Sequence, residues 1–170
     1  HLIPDLKDLL EPLKEVTHRT PMTWSTTIQL DPRLYPYQVD GVKWAIAHRG
    51  GYIADEPGLG KTIQALQWLE NSPYRRALVV APASVVFNWK DEAIEWSKSW
   101  SPYVLGSASN IRKTLKNPHW VQDQNQRIIY CITWSQLANC GSVLSQFGFE
   151  TLILDEAHRA KSMWAKRTIH

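Results

Sequence analysis

The sequence has few cysteines and no long apolar segment, and each of these absences excludes a class of protein. Cys131 and Cys140 are the only two cysteines among 170 residues, and they form no C-x-x-C pair and have no histidine cluster beside them. A disulfide framework and a zinc site are therefore not supported, and a reducing cytoplasm, nucleoid or nucleus fits best. No window reaches the roughly 18 uncharged apolar residues of a membrane span, so we expect no membrane partner.

An excess of one sign of charge is also lacking. The formal net charge is +3 and the pI is near 8.9, which leaves contact with a polyanion open without predicting it. The chain has no internal repeat or low-complexity tract, and with 44% hydrophobic and 21% charged residues it has the composition of one folded domain. Tryptophan is abundant, and core packing is expected for most of the nine, including Trp44, Trp68, Trp89 and Trp96.

Two parts of the chain differ in pattern. Prolines interrupt residues 1–31, which we interpret as a flank or accessory element with one short possible helix at "DLKDLLEPL". Residues 32–170 are the predicted functional lobe. There, a helix beginning near Pro36 and ending at Gly50 and Gly51 precedes short apolar runs that alternate with amphipathic helices.

The apolar runs predict the fold class. They are rich in Val, Ile and Leu without alternation, which is typical of strands whose two faces are both covered by helices. We therefore expect an α/β fold with a mostly parallel sheet and helices on both faces, with ligands at the carboxyl ends of the strands. The predicted strands are "GYIAD", "RALVVAP", "RIIYCIT" and "TLILDE", and the later helices are "KTIQALQWLENS", "SVVFNWKDEAIEWSK", "ASNIRKTLK" and "GSVLSQFG".

A candidate phosphate-binding loop, "DEPGLGKT", follows the first predicted strand and opens a predicted helix. Gly58 and Gly60 let the backbone approach phosphates, and the helix start adds partial positive charge. Lys61 is positioned for the β and γ phosphates of ATP, and Thr62 for Mg²⁺. A simple strand-to-helix turn is the alternative interpretation.

The loop departs from the common G-x-x-x-x-G-K-[ST] pattern at its first position. Asp55 stands where that pattern has glycine, and Asp tolerates unusual turn geometry better than most residues. Pro57 has no N–H and cannot donate to a phosphate. The predicted nucleotide-binding residues of this stretch are Asp55, Glu56, Pro57, Gly58, Leu59, Gly60, Lys61 and Thr62.

A second candidate motif, "TLILDEAH", places two carboxylates at the end of an apolar strand. In phosphate-loop enzymes one such carboxylate serves the metal and another the attacking water, which suggests Asp155 for Mg²⁺ and Glu156 for the nucleophile. A solvated acidic turn is the alternative interpretation. Both motifs fall at carboxyl ends of predicted strands, so the sequence predicts that Lys61, Asp155 and Glu156 meet in one pocket.

These stretches resemble a known family. "DEPGLGKT" is similar to motif I (D-E-M-G-L-G-K-T) and "DEAHRAKS" to motif II (D-E-A-H-R-x-K-N) of the Swi/Snf-like ATPases of helicase superfamily 2, which characteristically lack the first glycine. The blocks "LYPYQVDGVKWA", "LVVAPASVVFNWKDEAIEW" and "IIYCITWSQL" extend the similarity over about Leu34 to Ser162. "PASVVFNW" is most similar to the annealing-helicase branch. Pro57 and Ser162 depart from the usual methionine and asparagine.

The resemblance implies the first RecA-like lobe of a DEAH-box ATPase that uses ATP and Mg²⁺ to move along double-stranded DNA. It implies that Gln38 reads the adenine edge and that His158 links the nucleotide site to DNA-contacting loops. The residues it implies for the DNA face, contacting mainly phosphates, are Pro82, Ser84, Thr133 and Trp134. A helix cap or strand-end hydroxyl is the alternative for Ser84 and Thr133, and core packing is the alternative for Trp134.

The resemblance also implies that the fold is incomplete at its C-terminus, because the second lobe and its arginine fingers would lie beyond His170 of the parent chain. Arginine fingers contribute orders of magnitude to phosphoryl transfer, so we expect the chain alone to be nearly inactive. An isolated nucleotide- or DNA-binding module without catalysis is the alternative. A small kinase-type enzyme would need a lid and an acceptor site, which nothing between Asn71 and Glu150 suggests.

Overall fold

A computed structural model describes residue 24 and residues 27–53, 55–56, 58–116, 126–144 and 147–157. The helix predicted at "DLKDLLEPL" lies outside these residues. No helix within the described ranges is long and apolar enough to cross a membrane. The helices are α1 (Pro36–Ala47), α2 (Lys61–Glu70), α3 (Val86–Trp96), α4 (Ala108–Lys116) and α5 (Trp134–Leu144), and the strands are β1 (Arg76–Ala81), β2 (Trp100–Val104), β3 (Arg127–Thr133) and β4 (Thr151–Leu154).

The described strands form one parallel sheet in the order β2-β3-β1-β4. In the register, Ala81 of β1 lies opposite Thr133 of β3, and Val80 lies opposite Leu154 of β4. The carboxyl ends of these three strands therefore meet at the same edge, which we call the carboxyl edge. This confirms the predicted parallel sheet.

Helices cover both faces of the sheet, and each face has its own core. Val79 and Ile129 face a cluster that includes Leu66 of α2 and Trp89 of α3. Their neighbours in the strands face the other way, toward a cluster that includes Ile111 of α4 and four residues of α5, Trp134, Leu137, Cys140 and Leu144. Every residue from Ala77 to Ala81 is buried, which is why this strand reads as an unbroken apolar run.

The described end of the predicted flank packs against the lobe. The Asp31 N–H donates to the Gln67 side chain at 2.9 Å, and Gln29 exchanges two backbone hydrogen bonds with the Asn71 side chain, at 2.8 and 2.9 Å. The Trp24 ring lies 5.7 Å from the ring of Trp68. These contacts tie residues 24 and 27–31 to the end of α2.

One predicted strand and one predicted helix boundary were wrong. Residues 51–53 and 55 of "GYIAD" are not in a strand, because Gly50 and Gly51 have φ of 134° and 151° and a cavity separates this segment from β4. The helix predicted from Gly141 begins at Trp134 instead. Strand β2 was not predicted at all; its residues are mostly half-buried and include Pro102.

A reciprocal cap explains the early start of α5. The Gln136 N–H donates to Thr133 Oγ1 at 3.2 Å, and the Thr133 N–H donates to Gln136 Oε1 at 2.7 Å. This is a capping box, which satisfies donors that a helix start leaves unpaired. The pattern T-x-x-Q was present in the sequence and could have located the boundary.

Candidate functional site

A cavity of about 520 Å³ opens at the carboxyl edge. The loop and first turn of α2 contribute Asp55, Lys61 and Thr62 to its lining, and the end of β4 contributes Asp155 and Glu156. The apolar part of its wall comes from α1, the segment after it, α2, α3 and β4, and includes Ala45, Ile53, Ala65, Trp68, Trp89, Leu152 and Ile153. The structure thus brings together the lysine and both carboxylates that the two sequence motifs singled out.

Left-handed backbone shapes the loop before α2. Gly58 and Gly60 have φ of 86° and 72°, and Gly60 is the N-cap residue of α2. A Cβ on Gly60 would lie 2.5 Å from Gln38 Nε2, whereas one on Gly58 would meet nothing within 4 Å. At position 60, a residue with a side chain is therefore disfavoured both by the backbone φ and by the close contact with Gln38. At position 58, it is disfavoured by the backbone φ alone.

The ammonium group of Lys61 lies over its own loop. Its Nζ donates to the carbonyl oxygens of Asp55 at 2.8 Å and Glu56 at 3.1 Å. Carbonyl oxygens are weak substitutes for phosphate oxygens as partners of an ammonium. These hydrogen bonds hold the positive charge of Lys61 beside the cavity, where it could bind an anionic ligand.

Asp55 has a structural partner that the sequence did not reveal. Its Oδ2 accepts a hydrogen bond of 2.7 Å from Nε2 of Gln64, which is only 1% exposed. Gln64 lies on the first full turn of α2, so this bond ties the start of the loop to the helix that follows it. A glycine at position 55 could not make this contact, which gives the departure from the common pattern a physical reason.

Gln38 also anchors the loop. It is 4% exposed, its Oε1 accepts from the Tyr35 N–H at 3.0 Å, and its Nε2 donates to the Leu59 carbonyl at 3.2 Å. The Tyr37 hydroxyl donates to the same carbonyl at 3.3 Å. Both amide atoms of Gln38 thus have protein partners, and its role at an adenine edge stays a prediction.

Asp155 is held by three elements at once. Its N–H donates to the Val80 carbonyl of β1 at 2.9 Å. Its Oδ2 accepts from Trp89 Nε1 of α3 at 2.9 Å, and its carbonyl accepts from Trp134 Nε1 of α5 at 3.0 Å. Glu156, the next residue, has a left-handed φ of 54°, which costs free energy for a residue with a side chain and is concentrated at functional sites.

A further carboxyl group, that of Glu92 on α3, is affected by the charge of Asp155. Burial, together with the negative charges of Glu95 and Asp155, raises the pKa of Glu92 above its ordinary 4.5. Glu92 lies one helical turn after Trp89 on α3. The sequence did not predict that Glu92 and the Trp89 N–H affect Asp155. Both residues are far from Asp155 in the sequence, and neither belongs to a recognisable motif.

The side-chain oxygens that line the cavity are of the kind that binds Mg²⁺, but they are too few to surround the ion by themselves. No group of three or more His, Cys, Asp and Glu side chains that could hold a metal occurs in the described ranges. Mg²⁺ usually keeps several waters and binds through one or two protein oxygens plus phosphates. Thr62 and Asp155, which both line the cavity, would be those ligands, with the ion supplying charge neutralisation of the phosphates when bound.

The four residues predicted at the DNA face differ in environment. Ser84 is exposed in the turn before α3, and Pro82 is buried at the end of β1. Thr133 caps α5, as its alternative interpretation states. Trp134 is 6% exposed and packs in the core beneath α4 and α5, as its alternative interpretation states. Their DNA contacts stay predictions. Pro57 and His158 lie outside the described residues.

Comparison with known proteins identifies the family. Residues 37–169 match the family model described as SNF2-related domain. The chain is 31% identical over 162 residues to the chromatin structure-remodeling complex subunit snf21 of Schizosaccharomyces pombe, covering 88% of this chain and 13% of that protein. It is 30% identical over 155 residues to the DNA excision repair protein ERCC-6-like of Bos taurus, covering 83% and 12%.

The solved structures agree with the fold. The SWI2/SNF2 ATPase core of Sulfolobus solfataricus in complex with dsDNA matches with a TM-score of 0.62 and 23% identity, over 85% of this chain and 30% of that one. This confirms the RecA-like α/β fold. The chain spans about an eighth of the length of the two relatives named above. By its match over residues 37–169, the chain belongs to the SNF2-related domain family.

Proposed function

We propose that the cavity binds ATP with Mg²⁺ and that the chain is the ATP-binding lobe of a DNA-dependent ATPase that moves along double-stranded DNA. The observation that carries this proposal is the convergence of Lys61 and Thr62 from one side and Asp155 and Glu156 from the other on one cavity. Cation, hydroxyl and carboxylates in this arrangement suit a metal-bound triphosphate and an attacking water.

Each residue has a distinct role in the proposed chemistry. Lys61 exchanges its loop carbonyls for phosphate oxygens, and backbone N–H groups of Gly58 and Gly60 with the α2 N-terminus stabilise the same charge. Thr62 and Asp155 would hold the metal. Glu156, the neighbour of Asp155, orients the water and accepts its proton. Catalysis then rests on positioning and electrostatics, which is the general case for phosphoryl transfer.

A second lobe supplies what this cavity lacks for fast hydrolysis. The described residues place one cation, Lys61, in the lining of the cavity. An arginine finger from another lobe of the parent chain would stabilise the transition-state charge and account for a large share of the rate. We therefore propose very slow turnover for this chain and fast turnover only when the second lobe is joined to it.

Duplex DNA is the proposed second ligand. Support comes from the relatives, which are a chromatin-remodelling subunit and a DNA excision repair protein, and from the similar solved structure, which is a complex with dsDNA. Ser84 lies exposed near the same edge as the cavity and is the residue of the predicted DNA face best placed to meet a phosphate.

The first test measures nucleotide binding by the chain itself. A fluorescent ATP analogue is titrated in Mg²⁺ with the parent protein, with Lys61→Ala, and with Lys43→Ala as a control on the exposed face of α1. We expect Lys61→Ala to weaken binding about tenfold or more, because it removes the cation that the described residues place in the lining of the cavity. Equal affinity for all three proteins would contradict the proposal.

The second test measures hydrolysis by a chain extended past His170 with the sequence of its parent gene. Turnover is compared with duplex DNA, single-stranded DNA and RNA at low and high salt. Stimulation by duplex that weakens with salt is expected for phosphate contacts. Stimulation by RNA equal to that by duplex would contradict the DNA assignment, and nucleotide binding without any DNA-dependent turnover would favour the alternative, a binding module without catalysis.

A further inference from the structure

Asp155 accepts hydrogen bonds from two buried indoles that come from opposite faces of the sheet. Trp89 belongs to the core that α2 and α3 form on one face, and Trp134 to the core that α4 and α5 form on the other. Their exposed fractions are 3% and 6%. Both N–H groups point at the same residue, one at its carboxylate and one at its carbonyl.

An indole N–H is a donor only, and it cannot turn around as an amide or a hydroxyl can. Trp89 therefore offers Asp155 one fixed contact, at 2.9 Å from Oδ2. A carboxylate has two oxygens and about four lone-pair sites, so one such bond fixes the orientation of the group and leaves the other oxygen available. A bare Asp at the end of a strand could rotate about two side-chain bonds, and this contact removes that freedom.

We propose that Trp89 is a positioning residue, which holds the Asp155 carboxylate in the orientation that receives the magnesium ion of a bound nucleotide. This inference rests on the proposed function of the cavity. Trp89 does not touch the phosphates in this assignment; it acts through Asp155. Partners that orient metal ligands in this way commonly contribute 10–100-fold to metal affinity or activity.

The alternative is that the Trp89 N–H only satisfies its own burial need. The chain offers a matched control for that alternative. Trp100 belongs to the same core cluster and is 5% exposed, but its Nε1 has no hydrogen-bond partner, and it lies on β2, two strands away from β1 and three from β4. Trp89→Phe and Trp100→Phe therefore remove the same ring atoms from the same core, and only the first removes a bond to Asp155.

The experiment measures affinity for the fluorescent ATP analogue twice, in saturating Mg²⁺ and in EDTA, and takes the ratio as the contribution of the metal. We expect Trp89→Phe to reduce this ratio about tenfold, and Trp100→Phe to leave it unchanged. In an Asp155→Ala background, Trp89→Phe should have no further effect, because its target is gone.

A second substitution at Trp89 tests whether a loss seen with Trp89→Phe comes from the missing N–H or from a change in packing. Replacing Trp89 by benzothienylalanine keeps the shape of the ring system and puts sulfur in place of the N–H, and it should reproduce the loss seen with Trp89→Phe. A ratio unchanged in both Trp89 variants, or reduced equally by Trp100→Phe, would overturn the inference while leaving the proposed function intact. Loss of affinity to the same extent with and without Mg²⁺ would also overturn it, because it would indicate general distortion of the cavity. A parent protein that shows no Mg²⁺-dependent nucleotide binding would overturn the proposed function itself, and the inference with it.

Discussion

The two ends of the parallel sheet are built in different ways. At the amino end, Arg127 is the first residue of β3 and donates to four backbone carbonyls, among them that of Leu69 in the last turn of α2 at 2.6 Å and that of Ser72, just after α2, at 2.8 Å. At the carboxyl end, the backbone is left-handed at Gly58, Gly60 and Glu156 and surrounds a cavity. At the amino end, the backbone carbonyls at the end of α2 have hydrogen-bond donors. At the carboxyl end, polar side chains line the cavity.

The amino end of the sheet contributes mainly to the stability of the lobe, and the carboxyl end contributes mainly to ligand binding. The amino end fixes α2 in place with a charged fork of donors that stacks 4.4 Å above the Trp100 ring. Because α2 is anchored at its C-terminus, its N-terminus can carry the strained turn and Lys61 without losing its position. We expect substitutions at the amino end to change stability, and substitutions at the carboxyl end to change ligand binding more than stability.

The largest stability effect should come from Arg127→Ala. The substitution leaves the C-terminal carbonyls of α2 without their donors and removes the ring contact with Trp100, so we expect a loss of about 3 kcal/mol in the free energy of unfolding. Urea unfolding followed by circular dichroism measures it. Arg127→Lys keeps the charge but not the fork, and should lose less. An Arg127→Ala protein as stable as the parent would show that α2 is held by its apolar face alone.

A smaller loss is expected from Gly60→Ala at the other end. The added Cβ meets Gln38 Nε2 at 2.5 Å and the residue needs a φ of 72°, whereas Gly58→Ala meets only the φ requirement. We expect about 2 kcal/mol for Gly60→Ala and about 1 kcal/mol for Gly58→Ala. Urea unfolding of the pair measures the difference, and nucleotide affinity should fall in both. If the order were reversed, the contact with Gln38 would not matter.

The contrast between the two ends also explains what the sequence could predict. The loop at 55–62 was found because its chemistry is local: glycines, lysine and threonine follow one another, and the helix after them is amphipathic. The supports of Asp155 were not found, because Trp89 and Trp134 lie 66 and 21 residues away from it and an indole has no signature that separates a hydrogen-bonding role from packing. Trp44 shows the converse, since it was expected in the core and is 48% exposed, stacked on His48 at 4.3 Å.

The cap of α5 gives an intermediate case and a third prediction. Thr133→Ala removes the hydroxyl that accepts from the Gln136 N–H and should lower the free energy of unfolding by about 1 kcal/mol, which is typical of an N-cap. Ser84 serves as the control, because α3 has no side-chain cap bond and Ser84→Ala should leave stability unchanged. Thermal unfolding of the two variants separates them. If both lost the same stability, the Thr133 hydroxyl would not be the cap.

The smallest effect concerns two glutamates on adjacent helices, whose pKa values shift in opposite directions. At the amino end, burial acts to raise the pKa of Glu70, but hydrogen bonds from Ser97, Lys98 and Ser99 outweigh it and hold the pKa below 4.5. At the carboxyl end, burial and neighbouring negative charge raise the pKa of Glu92 above 4.5. A carboxyl group with a lowered pKa stabilises the fold at neutral pH, and one with a raised pKa does so only in acid.

The stability of Glu70→Gln and Glu92→Gln, measured against the parent between pH 3 and pH 7, should therefore change with opposite sign. The parent should exceed Glu70→Gln near neutrality and lose that advantage as the pH falls through the lowered pKa of Glu70. Glu92→Gln should match the parent in acid and exceed it as the pH rises through the raised pKa of Glu92, because the substitution removes a charge that the site disfavours. Because Asp155 contributes to that charge, the advantage of Glu92→Gln should shrink in an Asp155→Asn background, while the behaviour of Glu70→Gln should not change. An equal response of both glutamates to the loss of Asp155 would mean that the two ends of the sheet are not electrostatically separate.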